Sequence, residues 1–340
     1  MMISTAELHR LCMATAKAAG ASRPVAKSLA DATVTAEAEG QAIVGVAHFF
    51  DYIDAFRAGR IDPKAVPVLT RVRPAVFHSD ARGGIAQLGF DRAFARFAKA
   101  AKTHGIALFA QRNAWTCGSL GYHVERLAGE GLVAFAATNA SAMIAGGGAK
   151  RPVYGTNPLA FAAPVKDGPP LLIDQSSSAT AFVNVRAAAE RGESMPDGWA
   201  IDRDGKPTTD PKAAMDGALL AFGGARGGNI ALMVEVLAAG VTGANWSLDA
   251  PPLFTGDKNS GVGLTVIAID PSVIAPDFSV RLANQLERLA KEFGVHVPGM
   301  SKAHARARTE KDGIKVDPTL LDRLRRPTAR RTHGTEKALR

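Results

Sequence analysis

The sequence predicts an α/β fold in which a helical portion is built from both ends of the chain. Three observations lead to this prediction. The first sixty residues repeat apolar side chains at helical spacing, and the same pattern returns after residue 270. Between these segments, short β-branched runs alternate with helical stretches, and glycine-rich loops separate them. A chain of 340 residues is also long enough for two domains and one deep cleft.

The opening segment contains three predicted helices. Residues 4–7 (Ser-Thr-Ala-Glu) form a capping box, in which the serine and glutamate side chains satisfy free N–H groups at a helix start. A second helix begins near Ser22, with Pro24 in its first turn. A third covers 46–58 and ends at Gly59. The first domain boundary is therefore placed near residue 66.

The middle of the chain has the sequence pattern of an α/β fold, in which short strands alternate with helices. The predicted strands are short and rich in β-branched residues, and they lie at 66–72, 106–109, 132–137, 171–173 and 264–269. Helical stretches at 90–101, 120–128 and 230–239 separate them. A further helix at 276–293 resembles the opening helices in its pattern. We therefore expect both chain ends to pack together in one portion.

Composition excludes several classes of protein. No window approaches 18 uncharged apolar residues, so a membrane span is not expected. The start of the chain lacks the pattern of a secretory signal, and only Cys12 and Cys117 occur, which suits a cytoplasmic location. Neither CxxC nor HExxH is present, so no metal site is predicted.

The net charge of +9 is concentrated at one end of the chain. Residues 323–340 carry seven arginines and lysines against one glutamate. A short, like-charged terminus is typically solvated and disordered. We therefore predict a basic disordered tail over 323–340 and no nucleic-acid partner. A nucleic-acid role of this tail is the alternative, and it requires salt-dependent DNA retention that is lost when the tail is removed.

One glycine-rich run predicts an anion site. Phe222 to Asn229 reads Phe-Gly-Gly-Ala-Arg-Gly-Gly-Asn and precedes an apolar helix. Glycines allow a phosphate to approach the backbone, and the free N–H groups of a helix start favour a negative charge. Arg226 can add a bidentate contact. The run is neither a Walker loop nor GxGxxG within a βαβ unit; a glycine-rich helix entry with an exposed arginine is the structural alternative.

Two polar turns follow apolar stretches in the same region. Residues 154–164 place Thr156 and Asn157 between apolar segments, where their side chains can line the mouth of a cleft. Asp174 and a run of serines come directly after a buried strand, a position suited to hydrogen bonding with ribose or phosphate.

Several fragments in one order carry a family resemblance over roughly residues 5–310. They are Gly-Val-Ala-His at 45–48, Gly-Thr-Asn-Pro at 155–158, Ile-Asp at 173–174, Asp-Arg-Asp-Gly-Lys-Pro-Thr at 202–208, Phe-Gly-Gly-Ala-Arg-Gly at 222–227 and Glu-Val-Leu-Ala-Ala-Gly at 235–240. The chain resembles the malate/L-lactate dehydrogenase family of the second type, the sulfolactate dehydrogenase-like enzymes. The resemblance implies an NAD(P)-binding fold unrelated to the Rossmann domain, a homodimer, and, within the family, the branch that reduces the cyclic imino acids Δ1-pyrroline-2-carboxylate and Δ1-piperideine-2-carboxylate.

The chain departs from the family at its proton-handling positions. The family usually has Ser-His-Gly where this chain has Ile43, Val44 and Gly45, and its relay aspartate falls on Asn184. An arginine that often holds the substrate carboxylate falls on His48. A histidine of the loop near the nicotinamide falls on Thr116.

Loss of these groups favours imine reduction. Oxidation of a 2-hydroxy acid requires a base to remove the hydroxyl proton. A cyclic imine can instead be protonated in solution, and the iminium accepts hydride without a protein acid at that step. The enzyme then needs only to orient the reactants and hold the carboxylate.

The resemblance implies these site residues. The catalytic candidates are His48, Asn184 and Thr156. The candidates for substrate binding are His48, Tyr52, Thr156, Phe182 and Val183. The candidates for binding NADPH (or NADH) are Thr116, Cys117, Gly118, Ser119, Leu120, Asp174, Gln175, Ser176, Gly223, Gly224, Ala225, Arg226, Gly299, Met300, Ser301 and Lys302. For Cys117, packing in the core is favoured over a nucleophilic role.

The predicted domain layout follows from the same reading. Residues 1–66 and 271–322 form a helical portion for substrate and dimer contacts, and 67–270 form the cofactor-binding α/β portion. Two other functions stay open. The first is a 2-hydroxy-acid dehydrogenase (malate, L-lactate, sulfolactate or ureidoglycolate) with His48 as replacement base. The second is a catalytically silent relative that only binds the dinucleotide.

Overall fold

The computed structural model describes residues 1–326, and two of its sheets carry most of its strands. The strands are β1 (Met2–Ile3), β2 (Val68–Arg73), β3 (Val76–Asp80), β4 (Ile106–Ala114), β5 (Val133–Thr138), β6 (Ile144–Ala145), β7 (Leu159–Ala163), β8 (Leu171–Gln175), β9 (Ala200–Ile201), β10 (Pro207–Thr208), β11 (Ala218–Leu220), β12 (Val262–Ile269) and β13 (Ile314–Lys315). The main sheet has seven strands in the order β2-β3-β4-β12-β5-β7-β8. Within residues 1–326 its pairs are antiparallel, except that β3 and β4 run parallel.

Eleven α-helices lie outside the sheets within residues 1–326. They are α1 (Thr5–Ala18), α2 (Arg23–Ala38), α3 (Val46–Ala58), α4 (Ala86–His104), α5 (Gly121–Gly129), α6 (Phe182–Arg191), α7 (Pro211–Met215), α8 (Ala225–Glu235), α9 (Phe278–Phe293), α10 (Met300–Asp312) and α11 (Pro318–Arg325). The predicted α/β class is confirmed.

The central core lies between α4, α5 and one face of the main sheet. Phe90 and Phe97 of α4 pack against Phe109 of β4 and against Leu264 and Val266 of β12. Because side chains alternate along a strand, the residue between Leu264 and Val266 points to the other face of the main sheet. There, a π-helical turn at Val236–Gly240 continues α8 and packs against β12. The apolar helix predicted at 230–239 therefore starts earlier, and its last turn is not α-helical.

A second core unites the two ends of the chain. β1 pairs antiparallel with β13, and α1 contacts α11. Leu8 and Cys12 of α1 share this core with Leu321 and Leu324 of α11, and all four side chains are buried. The first three helices begin where they were predicted to begin, and Ser4 accepts the N–H of Glu7, which is the serine half of the predicted capping box.

The boundary of the predicted basic tail is wrong. The tail was placed at 323–340, whereas α11 continues to Arg325. The Arg323 guanidinium lies 3.8 Å from the centre of the Phe50 ring and 3.7 Å from Asp54. Cation–π and ionic contacts thus hold the first arginine of that run against α3. The remainder of the predicted tail, 327–340, lies outside the described residues.

A smaller, four-stranded sheet stands beside the main one. Its strand order is β10-β9-β11-β6, and α6 and α7 pack against it around Ile144, Val185 and Leu219.

No helix in the described part of the chain is long and apolar enough to cross a membrane. Among residues 1–326, no cluster of histidine, cysteine and acidic side chains has the form of a metal site.

Candidate active site

The first two turns of α3 present His48 against a buried aromatic wall. The His48 ring stacks on Trp115 at 5.9 Å and meets the edge of Tyr52 at 5.0 Å. Its Nδ1 lies 2.9 Å from Oδ2 of Asp51, one turn further along α3. This contact engages one ring nitrogen, so Nε2 is the nitrogen left for a ligand.

The start of α3 rests on a buried glutamate. The Val46 N–H donates to Oε1 of Glu37 at 2.7 Å. A Cβ at Gly45 would lie 2.5 Å from the same oxygen, so only glycine fits there. Burial raises the pKa of Glu37, although the bond from Val46 opposes this shift. Glu37 thereby fixes the turn at which the chain carries Ile43 and Val44 in place of a Ser-His pair.

The loop at 115–120 is held by a residue that the sequence reasoning missed. Gln87 Nε2 donates to the Tyr52 hydroxyl at 2.9 Å and to the Cys117 carbonyl at 3.1 Å. The Tyr52 hydroxyl in turn donates to the Thr116 carbonyl. Gly118 has a φ of +65°, and a Cβ there would lie 3.1 Å from Gln87 Nε2. Burial raises the pKa of Tyr52, which therefore acts as a neutral hydrogen-bonding group.

Cys117 belongs to the core side of this loop. Its side chain is buried, and its Sγ lies 3.1 Å from Oγ1 of Thr138. Burial raises the pKa of the Cys117 thiol to about 12, so the thiolate needed for nucleophilic chemistry is scarce at neutral pH. The structure thus favours packing for this side chain.

We expect both cysteines to resist labelling in the folded protein. Burial also raises the pKa of the Cys12 thiol, and that side chain is fully buried. Ellman's reagent at pH 8 should therefore react with neither thiol, and with both cysteines after unfolding in guanidinium. Rapid reaction of one thiol in the native protein would contradict this assignment.

Asp174 organises the next part of the site at the end of β8. Its Oδ2 accepts the Gly121 N–H at 2.8 Å and the Ser119 hydroxyl at 3.2 Å. Lys302 Nζ lies 3.7 Å away, and this buried ammonium has no hydrogen-bond partner among residues 1–326. A Cβ at Gly299, where φ is +93°, would lie 3.0 Å from the Leu172 backbone. The structure thus joins the predicted segments at 116–120, 174–176 and 299–302.

Backbone hydrogen bonds bring together the three turns that contain Thr156, Ser177 and Phe222. The Ser177 N–H donates to the Thr156 carbonyl, and the Phe222 N–H donates to the Ser177 carbonyl. Thr156 itself is half-buried. The prediction that Asn157 lines the cleft is wrong, because this side chain is fully buried and donates to Oε2 of Glu235 at 2.7 Å.

The glycine-rich run forms an open helix start. Gly223 and Gly224 have φ values of +59° and +63°, and a Cβ at either would meet no atom within 4 Å. Gly224 is the N-cap of α8, and no side chain caps this helix start. Arg226 is exposed beside it. A Cβ at Gly227 would lie 1.8 Å from the Phe222 carbonyl, so that glycine serves packing.

The remaining predicted residues lie at the start of α6. Phe182 and Val183 are half-buried, and Asn184 is exposed. Asn184 Nδ2 donates to Oγ1 of Thr180 at 3.1 Å, so the amide is held within its own helix turn. Ile43 is 59% exposed. At these positions the chain thus carries an aliphatic side chain and an amide, neither of which transfers a proton.

A charged cluster lies beside the Asp174 group, by which we mean Asp174, Ser119, Gly121 and Lys302. Arg306 of α10 pairs with Glu39 and with Glu125, and Glu39 is the more deeply buried carboxyl. Burial raises the pKa of Glu39 to about 7; Glu125 adds to the rise, and Arg306 and Lys302 oppose it. Sequence reasoning missed this cluster, because its members are far apart in the chain.

The fold and the site segments around His48, Asp174 and Thr156 are those of an oxidoreductase family. The family model described as malate/L-lactate dehydrogenase matches residues 3–325. The chain belongs to this family, and it is an oxidoreductase.

Its curated relatives include enzymes with different substrates. It is 36% identical to a (2R)-3-sulfolactate dehydrogenase (NADP+) of Chromohalobacter salexigens, over 95% of this chain and 97% of that protein. It is also 36% identical to a Δ1-pyrroline-2-carboxylate reductase of Ancylobacter novellus, over 95% and 96% of the two chains.

Solved structures give the same picture. The Δ1-piperideine-2-carboxylate reductase of Pseudomonas syringae pv. tomato superposes with a TM-score of 0.92 at 34% identity, over 96% of this chain and 99% of that one. The sulfolactate dehydrogenase of Methanocaldococcus jannaschii superposes with a TM-score of 0.87 at 28% identity, over 96% of each chain.

Proposed function

We propose that this protein is an NAD(P)H-dependent reductase of cyclic imino acids, which converts Δ1-pyrroline-2-carboxylate, Δ1-piperideine-2-carboxylate or both to L-proline or L-pipecolate. The observation that carries the proposal is the pairing of an intact set of cofactor-facing segments with proton-handling positions occupied by Ile43, Val44 and Asn184. Relatives with this activity at 33–36% identity over most of the chain support it.

The described residues fit a nicotinamide dinucleotide. The uncapped start of α8 offers free N–H groups to a phosphate, and Arg226 adds a positive charge beside them. Lys302 is buried without a hydrogen-bond partner among residues 1–326, next to the Asp174 carboxyl, as expected of a side chain whose ligand is polar. We expect these groups to hold the dinucleotide. When bound, the nicotinamide supplies the hydride.

The chain's own residues bind and orient the substrate. His48 Nε2 is available to the substrate carboxylate, because Asp51 engages Nδ1 and Trp115 fixes the plane of the ring. Thr156 and Phe182 would line the remaining space. The ring nitrogen of the imine arrives with its proton from solution, so the site does not need a residue to deliver one. Positioning of this kind can lower a barrier by about 7–11 kcal/mol.

Three features of the assembly belong to the same proposal. The mostly antiparallel main sheet supports a cofactor-binding portion over 67–270 that is not a Rossmann domain, since Rossmann sheets are mostly parallel. The shared core of both chain ends supports a helical portion for substrate and dimer contacts. The two unpaired cysteines suit a cytoplasmic location.

The proposed homodimer has a candidate surface in α9. Its apolar side chains Phe278, Leu282, Leu286, Leu289 and Phe293 recur every three or four residues, yet none is buried within residues 1–326. Such a stripe is typical of a helix that packs against a partner. Light scattering coupled to gel filtration should give twice the chain mass of 35.5 kDa; a monomer mass would contradict the homodimer.

The 2-hydroxy-acid dehydrogenase is the second candidate. The His48–Asp51 pair favours it, because a histidine oriented by a carboxylate is a common general base. The similarity to a sulfolactate dehydrogenase favours it too. In this case His48 would remove the hydroxyl proton, and oxidation of the acid would be the efficient direction.

The two functions are separated by one assay. NADPH and NADH absorbance decay is measured with pyrroline-2-carboxylate, piperideine-2-carboxylate, pyruvate, oxaloacetate and sulfopyruvate. We expect the two cyclic imines to be reduced with much the highest kcat/KM. Faster reduction of any 2-oxo acid would favour the second candidate, and dinucleotide binding without turnover on the whole panel would indicate a catalytically silent relative.

A further inference from the structure

One arginine joins three helices that are far apart in the sequence. Arg306, in the middle of α10, pairs with Glu39 at the end of α2 and with Glu125 on α5, where Nη2 and Oε2 are 2.7 Å apart. The Glu39 side chain is 2% exposed and that of Glu125 is 16% exposed. The Arg306 side chain itself is 37% exposed, so the pairs are only partly removed from water; the buried ends at Glu39 and Glu125 are screened less than those of surface pairs.

Helix α10 has few other contacts that fix its position. With residues 1–326 in place, none of its thirteen residues is buried. Thr309 donates to the Ala38 carbonyl at 3.2 Å, and Lys302 approaches Asp174. Because no apolar side chain of α10 is fully buried, its orientation depends largely on polar contacts, and Arg306 makes two of these with carboxylates.

Each member of the cluster is connected to the Asp174 group. Lys302 precedes Arg306 by four residues and therefore lies one turn away on the same face of α10. Glu125 lies one turn of α5 after Gly121, and the Gly121 N–H donates to the Asp174 carboxylate. Glu39 lies two residues before Gln41, whose Oε1 lies 3.1 Å from the Ser119 hydroxyl oxygen.

We propose that Glu39, Arg306 and Glu125 form a clamp that positions Lys302 for the dinucleotide, so that they are positioning residues for cofactor binding. This inference rests on the proposed function only in assuming that a nicotinamide dinucleotide binds beside Asp174. The clamp holds α10 against α2 and α5, and the Lys302 ammonium, which lies 3.7 Å from Asp174 and makes no hydrogen bond within residues 1–326, then stays at the end of β8. Without the clamp, α10 shifts and the Lys302 ammonium moves away from Asp174.

The clamp makes cofactor affinity depend on pH near neutrality. The charged groups that face Glu39 are Glu125 from α5 and Arg306 and Lys302 from α10. Burial and Glu125 raise the pKa of Glu39 to about 7, against the opposing effect of Arg306 and Lys302. Above that pH Glu39 is ionised and forms an ion pair with Arg306. Below it Glu39 is neutral, and Arg306 retains only Glu125. Cofactor affinity is therefore expected to fall between pH 8 and pH 6.

The test is a fluorescence titration of NADPH binding without substrate. Arg306→Gln should weaken binding about five- to tenfold at pH 8. Glu39→Gln resembles the protonated carboxyl, so it should weaken binding at pH 8 and make the change between pH 8 and 6 smaller than in the wild type. Arg308→Gln is the matched control, since it removes the same charge from an exposed position of α10. Hydrogen exchange should increase in 300–312 for Arg306→Gln and elsewhere remain unchanged.

The outcomes distinguish the clamp from the proposed function. If the wild type binds NADPH but Arg306→Gln binds it equally well, the clamp is wrong and the function stands. Equal weakening by Arg306→Gln and Arg308→Gln would also overturn the clamp, because the effect would then come from net charge. A wild type that binds neither NADPH nor NADH overturns the proposed function, and the clamp with it. If Arg306→Gln does not fold, the Glu39→Gln titration decides.

Discussion

Glu235→Ala is expected to lower the free energy of unfolding by about 3 kcal/mol or more. The Glu235 carboxyl is 4% exposed and accepts the Ser247 N–H at 2.6 Å, the Ser247 hydroxyl at 2.6 Å and Asn157 Nδ2 at 2.7 Å. The substitution leaves these buried donors without an acceptor, and each costs about 1–3 kcal/mol. Urea unfolding followed by circular dichroism should show a lower midpoint.

The same variant should lose activity more steeply than stability alone explains. Asn157 is next to Thr156, so release of its side chain disturbs the turn that faces the substrate. Glu190→Ala, an exposed position on α6, should stay within about 0.5 kcal/mol of the wild type. A Glu235→Ala midpoint equal to that of Glu190→Ala would show that the network contributes nothing.

His48→Ala is expected to lower kcat/KM for the cyclic imino acid about 10- to 100-fold, with most of the change in KM. A hydrogen bond to a charged group, here the substrate carboxylate, contributes about 1.5–3 kcal/mol, which corresponds to this range. Asp51→Asn should have a smaller effect in the same direction, because it keeps the imidazole but weakens its orientation. Steady-state kinetics with saturating NADPH measures both parameters.

Asp54→Asn provides the control on the same helix. Asp54 is 52% exposed and pairs with arginines rather than with His48, so its kinetics should match the wild type. A fall in kcat at constant KM for His48→Ala would assign proton transfer to this residue and favour the 2-hydroxy-acid dehydrogenase. Unchanged kinetics would show that another group binds the carboxylate.

The elements with strong local signals could be predicted from the sequence. Helix α3 has the predicted bounds, because Gly59 adopts the left-handed conformation that ends a helix. The strands predicted at 106–109 and 264–269 extend further in the structure, since pairing between β4 and β12 lengthens both. Helix α11 was missed because it is short and its last core side chain, Leu324, lies within the basic run that begins at Arg323. Its stability comes from the core of the distant N-terminal helices.

The candidate site also contains residues that could be predicted from the sequence and residues that could not. Asp174, Ser119 and Lys302 were all predicted, and the structure brings them together. Gln87 and Arg306 were not predicted, because each acts through partners that are remote in the chain or carry no pattern of their own. Contacts of this kind depend on tertiary packing, which spacing rules do not describe.

The pairing of β1 with β13 also bears on how the protein is synthesised. The Met1 amine donates to the Val316 carbonyl, and the face of α1 is completed by Leu324. During translation, the helix that carries His48 is made before α11, so its supporting core closes only after Pro318–Arg325 has left the ribosome. The apolar face of α1 therefore stays exposed until α11 has been made, at the stage when newly made chains need chaperones.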